Sequence, residues 1–490
     1  ISREINIPLY IFPPGLSLFT CVAYAFTNDL MLASILVDIM SMCLLYFSLL
    51  ILLGLLNFTR FAKIVFFTFI AFTVSPFDFL GSSDLMSLSF FLFSIAIYFK
   101  YNKKEKINFF LIIIVCILAF MPAFARFAYY PSVFILPAVI ALSGLLYKKR
   151  KFLVEGIIMG VVIMILLLIL MLWIKTTSGK YDLFDAVTLE KGFYLKNLFY
   201  FDYFPFGAFF FLNKLLKFYF LHIEDIRRIL FTIFSAGILF MVFKLIFKNL
   251  KNFFYAEKNI YKFSLYFILF AAVLLNLLEL SYLSVRYPIY IENAAKWIPI
   301  WTYVSDQRYW AVSIVIIQIL IIGIAFNKNF NINKTEKIIS AVFVTVSIIF
   351  SIYHYHYEAG RVEATKQLLI NRTFSPDLYI HRENIPKNKM IALVNKINIV
   401  KKESKVPVLF LGHHQTIMRM IQMFCTVPVI DNERIKKNNV NFEMRNDSYD
   451  NLRTSKDVNL LLSVSMLSDN YNEAMNFLKK QKNELFYELS

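Results

Sequence analysis

Long apolar stretches separated by short polar loops make up most of the chain before residue 357. A helix needs about 20 apolar residues to cross a hydrocarbon layer of about 30 Å, and ten stretches approach that length. Lipid offers no hydrogen-bond partner to backbone N–H and C=O groups, so stretches of this length indicate helices rather than a barrel. The ten predicted spans lie near residues 29–56, 60–76, 84–99, 107–124, 127–146, 152–174, 227–247, 262–280, 310–326 and 337–355.

The pattern changes at about Tyr357 to that of an ordinary soluble domain. The run Val406–Gly412 has the length and composition of a buried strand. The predicted fold is therefore mainly α: a polytopic transmembrane helical bundle in residues 1–356, followed by a small α/β domain in residues 357–490. Within residues 357–490, helical patterns occur near residues 387–402, 414–424 and 470–487.

The composition excludes a soluble globular protein. Of the 490 residues, 59% are apolar, only 17% are charged and 54 are Phe, whereas soluble proteins carry about 25% charged residues. The four cysteines are scattered, which excludes a disulfide scaffold. The abundance of Ile, Lys, Asn and Phe is typical of an A/T-rich bacterial genome, so we expect the chain in a bacterial inner membrane.

The basic residues predict how the chain is oriented, since short cytoplasmic loops retain Lys and Arg. Alternate loops hold the basic clusters, and the opposite set carries Pro, Tyr, Asp and Trp; the latter set, with the C-terminal domain, is predicted to face outward. The stretch Phe204–Leu221 is interpreted as an interfacial helix rather than an eleventh span. The predicted cytoplasmic clusters lie at residues 60–63, 100–106, 148–151, 244–262 and 328–337.

The net charge of +18 follows from this topology. Residues 357–490 contain 20 Lys and Arg against 15 Asp and Glu, which leaves +13 for the part that holds the spans. No basic-aromatic RNA motif accompanies the charge, so a nucleic-acid partner is not expected. We expect membrane lipid to surround the part of the chain that holds the spans.

Two polar motifs precede helices on the predicted outer side. Pro14 and Gly15 belong to the tract Pro-Pro-Gly-Leu-Ser-Leu, which opens an apolar helix, and Pro is pre-organised for a first helical turn. Asp84 ends the outward tract 75–84 and starts the next span, where a carboxylate also suits an N-cap. Both motifs are consistent with a structural role as well as with a site.

Two further outward motifs contain arginine. Arg126 stands in Ala-Arg-Phe-Ala-Tyr-Tyr-Pro, with Tyr129 in the same motif, and either snorkels to the interface or binds phosphate through its guanidinium fork. The second motif, Trp301–Trp310, contains Asp306, Arg308 and Tyr309. Its alternative interpretation is an aromatic belt with one Asp-Arg pair.

In their order and on their predicted side, these motifs resemble those of the GT-C superfamily of integral membrane glycosyltransferases, which use polyprenyl- or dolichyl-phosphate sugars. The resemblance covers most of residues 1–326. It implies transfer of a sugar from a polyprenyl-phosphate donor to an extracytoplasmic glycan, lipid or protein, with inversion at the sugar carbon. An outward-facing Asp or Glu acts as general base in this family, and an Arg or a divalent metal offsets the charge of the leaving phosphate.

The resemblance also assigns roles to individual residues. Asp84 is expected to be a secondary acid, Arg126 and Arg308 to bind the lipid phosphate, and Tyr309 to position the donor. The family's principal base follows a first span some tens of residues before the Pro-Pro-Gly tract, so we expect that span and that base upstream of Ile1. The remaining predicted substrate-binding residues are Pro14, Gly15, Tyr129 and Asp306.

Two other functions share some of these features. An O-antigen polymerase or ligase shares many spans and a large outward loop, such as residues 175–226. A lipid or solute transporter would place ionisable residues near span midpoints, where Asp38 and Glu279 are the candidates. No dedicated metal site is predicted, because the adjacent His413 and His414 lack the spacing of a closed site. Nucleotide-binding and hydrolase motifs do not occur.

Overall fold

The computed structural model describes residues 14–28, 30–73, 83–102, 106–126, 129–178, 224–286, 311–328, 330, 332–357, 408–412, 429–431, 459–465 and 485–489. Contacts divide the chain into two compact units. One comprises Pro8–Phe19 and Ile35–His356, and the other comprises Ile1–Ile7, Thr20–Ser34 and Tyr357–Ser490.

Helices dominate the described residues, and each predicted span overlaps one of them. An additional helix, α1, follows the Pro-Pro-Gly tract as expected. The α-helices are α1 (Gly15–Thr27), α2 (Leu30–Leu55), α3 (Arg60–Thr73), α4 (Ser83–Tyr101), α5 (Phe109–Ala125), α6 (Ile135–Leu146), α7 (Arg150–Ser178), α8 (Glu224–Lys251), α9 (Ile260–Arg286), α10 (Ala311–Phe326) and α11 (Lys334–Tyr357).

Four of the described helices are long and apolar enough to cross a membrane: Leu32–Leu55, Ser83–Tyr101, Arg150–Thr176 and Ile260–Tyr282. Exposed apolar side chains support this assignment, because water would disfavour them while hydrocarbon does not. Only 22% of the α7 span is buried, against 83% of the α4 span. Helix α4 therefore lies inside a membrane-embedded bundle and α7 lies at its periphery. The exposed side chains of α7 include Ile157, Val161, Met164, Ile165, Leu168 and Ile169.

The predicted span 127–146 is wrong in its extent. The chain forms a 3₁₀ turn at Ser132–Phe134, and α6 then runs only from Ile135 to Leu146. Proline explains the difference. Pro131 has no backbone N–H and fixes the turn at its own position, and Pro137 falls in the first turn of α6, where no intrahelical N–H bond is needed.

Helices α6 and α7 form a hairpin whose glycines let the two backbones approach closely. A Cβ atom built on Gly144 would lie 2.8 Å from Leu153 Cα, and one built on Gly156 would lie 2.7 Å from Ala141 Cα. Small residues at such crossings allow extensive van der Waals contact, which drives helix association in lipid.

We therefore expect Gly156→Val to destabilise the protein by about 3 kcal/mol, since either backbone would have to shift to admit the side chain. Gly160→Val is the matched control one turn later, because the nearest atom to its Cβ is Pro137 Cβ at 3.9 Å. Chemical unfolding in detergent measures both variants. Equal stability of the two would contradict the close crossing.

A buried polar network joins α4 to α7 near the end that carries the basic loops. The Glu155 Oε2 atom accepts hydrogen bonds from Tyr98 Oη at 2.8 Å and from Asn102 Nδ2 at 2.7 Å. Lys151 Nζ donates to Asn102 Oδ1 at 2.8 Å and lies 3.7 Å from Glu155 Oε1. Tyr98 and Glu155 are fully buried. A buried carboxylate needs such partners, so the network fixes the register of the two helices.

The second unit contains a four-stranded parallel sheet with strand order β2-β1-β3-β4. The predicted strand at 406–412 is present as β1. The helical pattern predicted near 470–487 is wrong at its end, because residues 485–487 belong to β4. Their side chains, Leu, Phe and Tyr, include aromatic residues that suit a strand. The other two helical patterns and Phe204–Leu221 lie outside the described residues. The strands are β1 (Val408–Gly412), β2 (Val429–Asp431), β3 (Asn459–Ser465) and β4 (Leu485–Leu489).

Candidate functional site

The ends of four helices and a turn meet at one end of the bundle, opposite the basic loops. Helices α4 and α10 begin there, α5 ends there, and the 3₁₀ turn and residues 276–280 of α9 complete the wall. They enclose a cavity of about 10 Å³, the volume of roughly one water molecule. Its lining is mostly polar: Asp84, Tyr129, Ser132, Asn276, Glu279, Leu280 and Val312.

An ion pair between Asp84 Oδ2 and Arg126 Nη1 borders this cavity. Asp84 is the second residue of α4, and Arg126 caps α5 in extended conformation, its N–H donating to the Pro122 carbonyl at 2.9 Å. The side chains are 1% and 12% exposed, respectively. The arginine therefore points into the protein, toward the carboxylate, rather than outward to the membrane interface.

Hydrogen bonds between neighbouring helices hold the walls of the cavity in place. Ser87 Oγ donates to the Pro122 carbonyl at 3.0 Å, which ties α4 to α5 one turn from the ion pair. Ser313 Oγ donates to Asn276 Oδ1 at 2.6 Å, which ties α10 to α9. All four residues are buried. In a low-dielectric interior such bonds are strong, so the site is built on fixed helices rather than on loops.

Tyr129 and Glu279 complete the polar lining. The Tyr129 N–H donates to the Arg126 carbonyl at 3.1 Å, which fixes the tyrosine beside the ion pair. Its phenol lies within electrostatic range of Asp84, Arg126 and Glu279. The site thus combines two carboxylates, one guanidinium and one phenol, and these groups can bind an anion, a hydroxyl or a proton.

Gly15 brings the start of α1 against the end of α5. A Cβ atom on Gly15 would lie 2.5 Å from the Phe124 carbonyl oxygen and 2.9 Å from Ala125 Cα. Both are backbone atoms, so only glycine allows this approach. Pro14 precedes it, and its carbonyl accepts a hydrogen bond from Leu18 N–H at 2.8 Å. The helix start predicted from the Pro-Pro-Gly tract is confirmed, and it lies next to the residue that caps α5.

The structure brings together Gly15, Asp84, Arg126 and Tyr129, which the sequence had placed in three separate motifs. Asp306, Arg308 and Tyr309 lie outside the described residues, as do His413 and His414. Among the described residues no group of three His, Cys, Asp or Glu could hold a metal ion.

Sequence reasoning missed Ser132 and Asn276 as members of this site and noted Glu279 only as an acid within a span. A signal for two of them existed. Asn276 and Glu279 are three residues apart on one apolar helix, and that spacing places both on the same face. A polar pair on one face of a transmembrane helix is expected to face the bundle interior.

Comparison of the chain with protein-family models, with curated proteins and with solved structures gave no match.

Proposed function

We propose that the chain is a bacterial inner-membrane glycosyltransferase that moves a sugar from a polyprenyl-phosphate donor to an extracytoplasmic glycan, lipid or protein. The observation that carries the proposal is the buried Asp84–Arg126 pair beside a second carboxylate, at the end of the bundle opposite the basic loops. In this proposal the ten predicted spans all cross the membrane, and the C-terminal part is an α/β domain on the outer side.

The charges at the site suit this chemistry. When the bond between the anomeric carbon and the phosphate oxygen breaks, negative charge develops on the lipid phosphate, and a fixed guanidinium offsets it. The Arg126 fork matches two phosphate oxygens. Asp84 holds that fork in place, so we assign it a positioning role in addition to that of the secondary acid expected from the resemblance.

The acceptor hydroxyl needs a base. A carboxylate takes the hydroxyl proton as the acceptor oxygen attacks the anomeric carbon and polyprenyl phosphate departs. Glu279 lines the same cavity as Asp84 and belongs to a different helix. We propose that it assists this step. A divalent metal would be the alternative partner of the leaving phosphate.

A cavity of about 10 Å³ cannot hold a sugar phosphate. Donor binding therefore requires the helix ends around Asp84 and Val312 to separate. In the sequence, Arg308 and Tyr309 directly precede α10, and Val312 of that helix lines the cavity. We propose that Arg308 supplies the second cation for the lipid phosphate, with Tyr309 positioning the donor and Asp306 beside them.

Replacement of Arg308 by alanine tests this proposal. We expect transfer from a polyprenyl-phosphate sugar to fall about 100-fold, as for loss of one transition-state donor, while the amount of inserted protein stays unchanged. Arg150→Ala is the matched control, since Arg150 is an exposed arginine at the opposite end of the bundle. Undiminished transfer by Arg308→Ala would count against its phosphate role.

A further inference from the structure

A second and much larger cavity lies at the other end of the bundle. Its volume is about 550 Å³, within the range of small-molecule binding sites. Its walls come from the end of α2, the end of α8, the start of α9 and Phe330, which follows α10. These are the ends that carry the basic loops, so this cavity is separate from the one beside Asp84.

The polar part of the lining has a net positive charge. Lys248, Lys251 and Lys262 line the cavity together with a single carboxylate, Glu257. Lys262 Nζ lies 3.6 Å from Glu257 Oε2, and Asn252 Nδ2 donates to Glu257 Oε1 at 2.8 Å. The carboxylate is thus held by one lysine and one asparagine, and the lining retains two positive charges beyond it. Amide groups that can also donate to an anion come from Asn57, Asn249 and Asn252.

The remainder of the lining is apolar and aromatic. Buried side chains of the bundle core form most of this wall, and the exposed faces of the same helices are those expected to meet lipid. A ligand that fills the cavity must therefore combine an anionic group with an apolar part. The apolar and aromatic lining residues are Leu55, Leu56, Leu245, Phe253, Tyr255, Ala256, Tyr266 and Phe330.

A turn of π-helix, Asn252–Ala256, lies between Lys251 and Glu257 and contributes uncharged side chains to the lining. Such turns are rare and occur frequently at functional sites. Tyr147 Oη donates to the Phe253 carbonyl at 2.8 Å, which anchors the turn to the end of α6. Burial raises the pKa of Tyr147 to about 12, so the phenol stays protonated and keeps donating at physiological pH.

We propose that this cavity binds the phosphate headgroup of an anionic membrane lipid between Lys248, Lys251 and Lys262, with the acyl chains against the leucines and aromatic rings. Basic pockets between transmembrane helices on the cytoplasmic side recognise anionic headgroups in this way. A free phosphate or a nucleotide shares the charge of the headgroup, but it would leave the apolar wall uncovered.

Lipid binding to the full-length protein in detergent tests the proposal. Native mass spectrometry would compare phosphatidylglycerol with phosphatidylcholine for the wild type and for Lys248→Gln/Lys251→Gln. We expect the double variant to bind phosphatidylglycerol about ten-fold more weakly, with binding of phosphatidylcholine unchanged. Lys148→Gln/Lys149→Gln is the matched control, because both lysines are exposed at the same end but do not line the cavity.

A second variant, for which stronger rather than weaker lipid binding is expected, tests the proposal even if the lysine double variant does not fold. Glu257→Gln removes the single negative charge of the lining, so it is expected to strengthen phosphatidylglycerol binding. Unchanged phosphatidylglycerol binding in Glu257→Gln, or in a folded lysine double variant, would overturn the proposal. So would displacement of the lipid by millimolar inorganic phosphate, which would assign the cavity to a soluble anion. Lipid binding is measured without sugar transfer, so failure of the lipid-binding proposal is distinguishable from failure of the proposed function.

Discussion

Replacing Arg126 by glutamine is expected to abolish sugar transfer and to destabilise the bundle at the same time. The variant leaves the Asp84 carboxylate, whose side chain is 1% exposed, without its guanidinium partner. Removing one member of a buried ion pair costs about 3–5 kcal/mol, because the remaining charge stays in a low-dielectric site. Transfer falls in addition, since the charge on the leaving phosphate loses its proposed cation.

The double variant Asp84→Asn/Arg126→Gln separates these two effects. It removes both charges, so most of the lost stability should return, whereas transfer should stay at background. Chemical unfolding in detergent measures the first quantity, and transfer from a polyprenyl-phosphate sugar measures the second. If transfer recovers together with stability in the double variant, Arg126 has only a structural role.

Gly15→Ala is expected to lower transfer strongly by moving the end of α5. The new methyl group would meet the Phe124 carbonyl oxygen and Ala125 Cα, neither of which can rotate away. Relief of this overlap requires a backbone shift immediately before Arg126, at a cost of about 1–3 kcal/mol. Displacement of a catalytic group by about 1 Å costs on the order of 100-fold in rate, so we expect a loss of that size.

The control for this variant is Gly237→Ala, because a Cβ atom at Gly237 would meet no atom within 4 Å. That change should leave transfer unaltered and increase stability slightly, since alanine favours the helix. Wild-type transfer by Gly15→Ala would show that the contact between α1 and the end of α5 does not position Arg126.

The helices of the first unit could be predicted from the sequence because each is a continuous apolar run bounded by charged or Pro-containing loops. Their ends were predicted less well where proline was involved, as at Pro131 and Pro137. Hydropathy alone does not distinguish a run that begins as a 3₁₀ turn from one that is helical throughout, since both bury the same side chains.

The composition of the site could be predicted only in part. Pro-Pro-Gly, Asp84 and Arg126 were identified as motifs, but the pairing of Asp84 with Arg126 joins positions 42 residues apart in different helices. Nothing local in the sequence specifies such a pair, because it depends on how α4 packs against α5. Glu155 was missed for the same reason. It follows the basic cluster 148–151 and looks like part of a solvated helix start, yet it is buried, and Tyr98 of α4 and Asn102 just after α4 donate hydrogen bonds to its Oε2 atom.

Binding of the lipid phosphate beside Arg126 is tested by photo-crosslinking of the full-length protein with a polyprenyl-phosphate probe that carries a diazirine beside its phosphate, followed by peptide mapping. We expect adducts at the helix ends around Asp84, Arg126 and Glu279, and we expect them to be suppressed by unlabelled polyprenyl phosphate and absent in Arg126→Gln. Specific adducts confined to the opposite end of the bundle, or undiminished labelling of Arg126→Gln, would contradict binding beside Arg126.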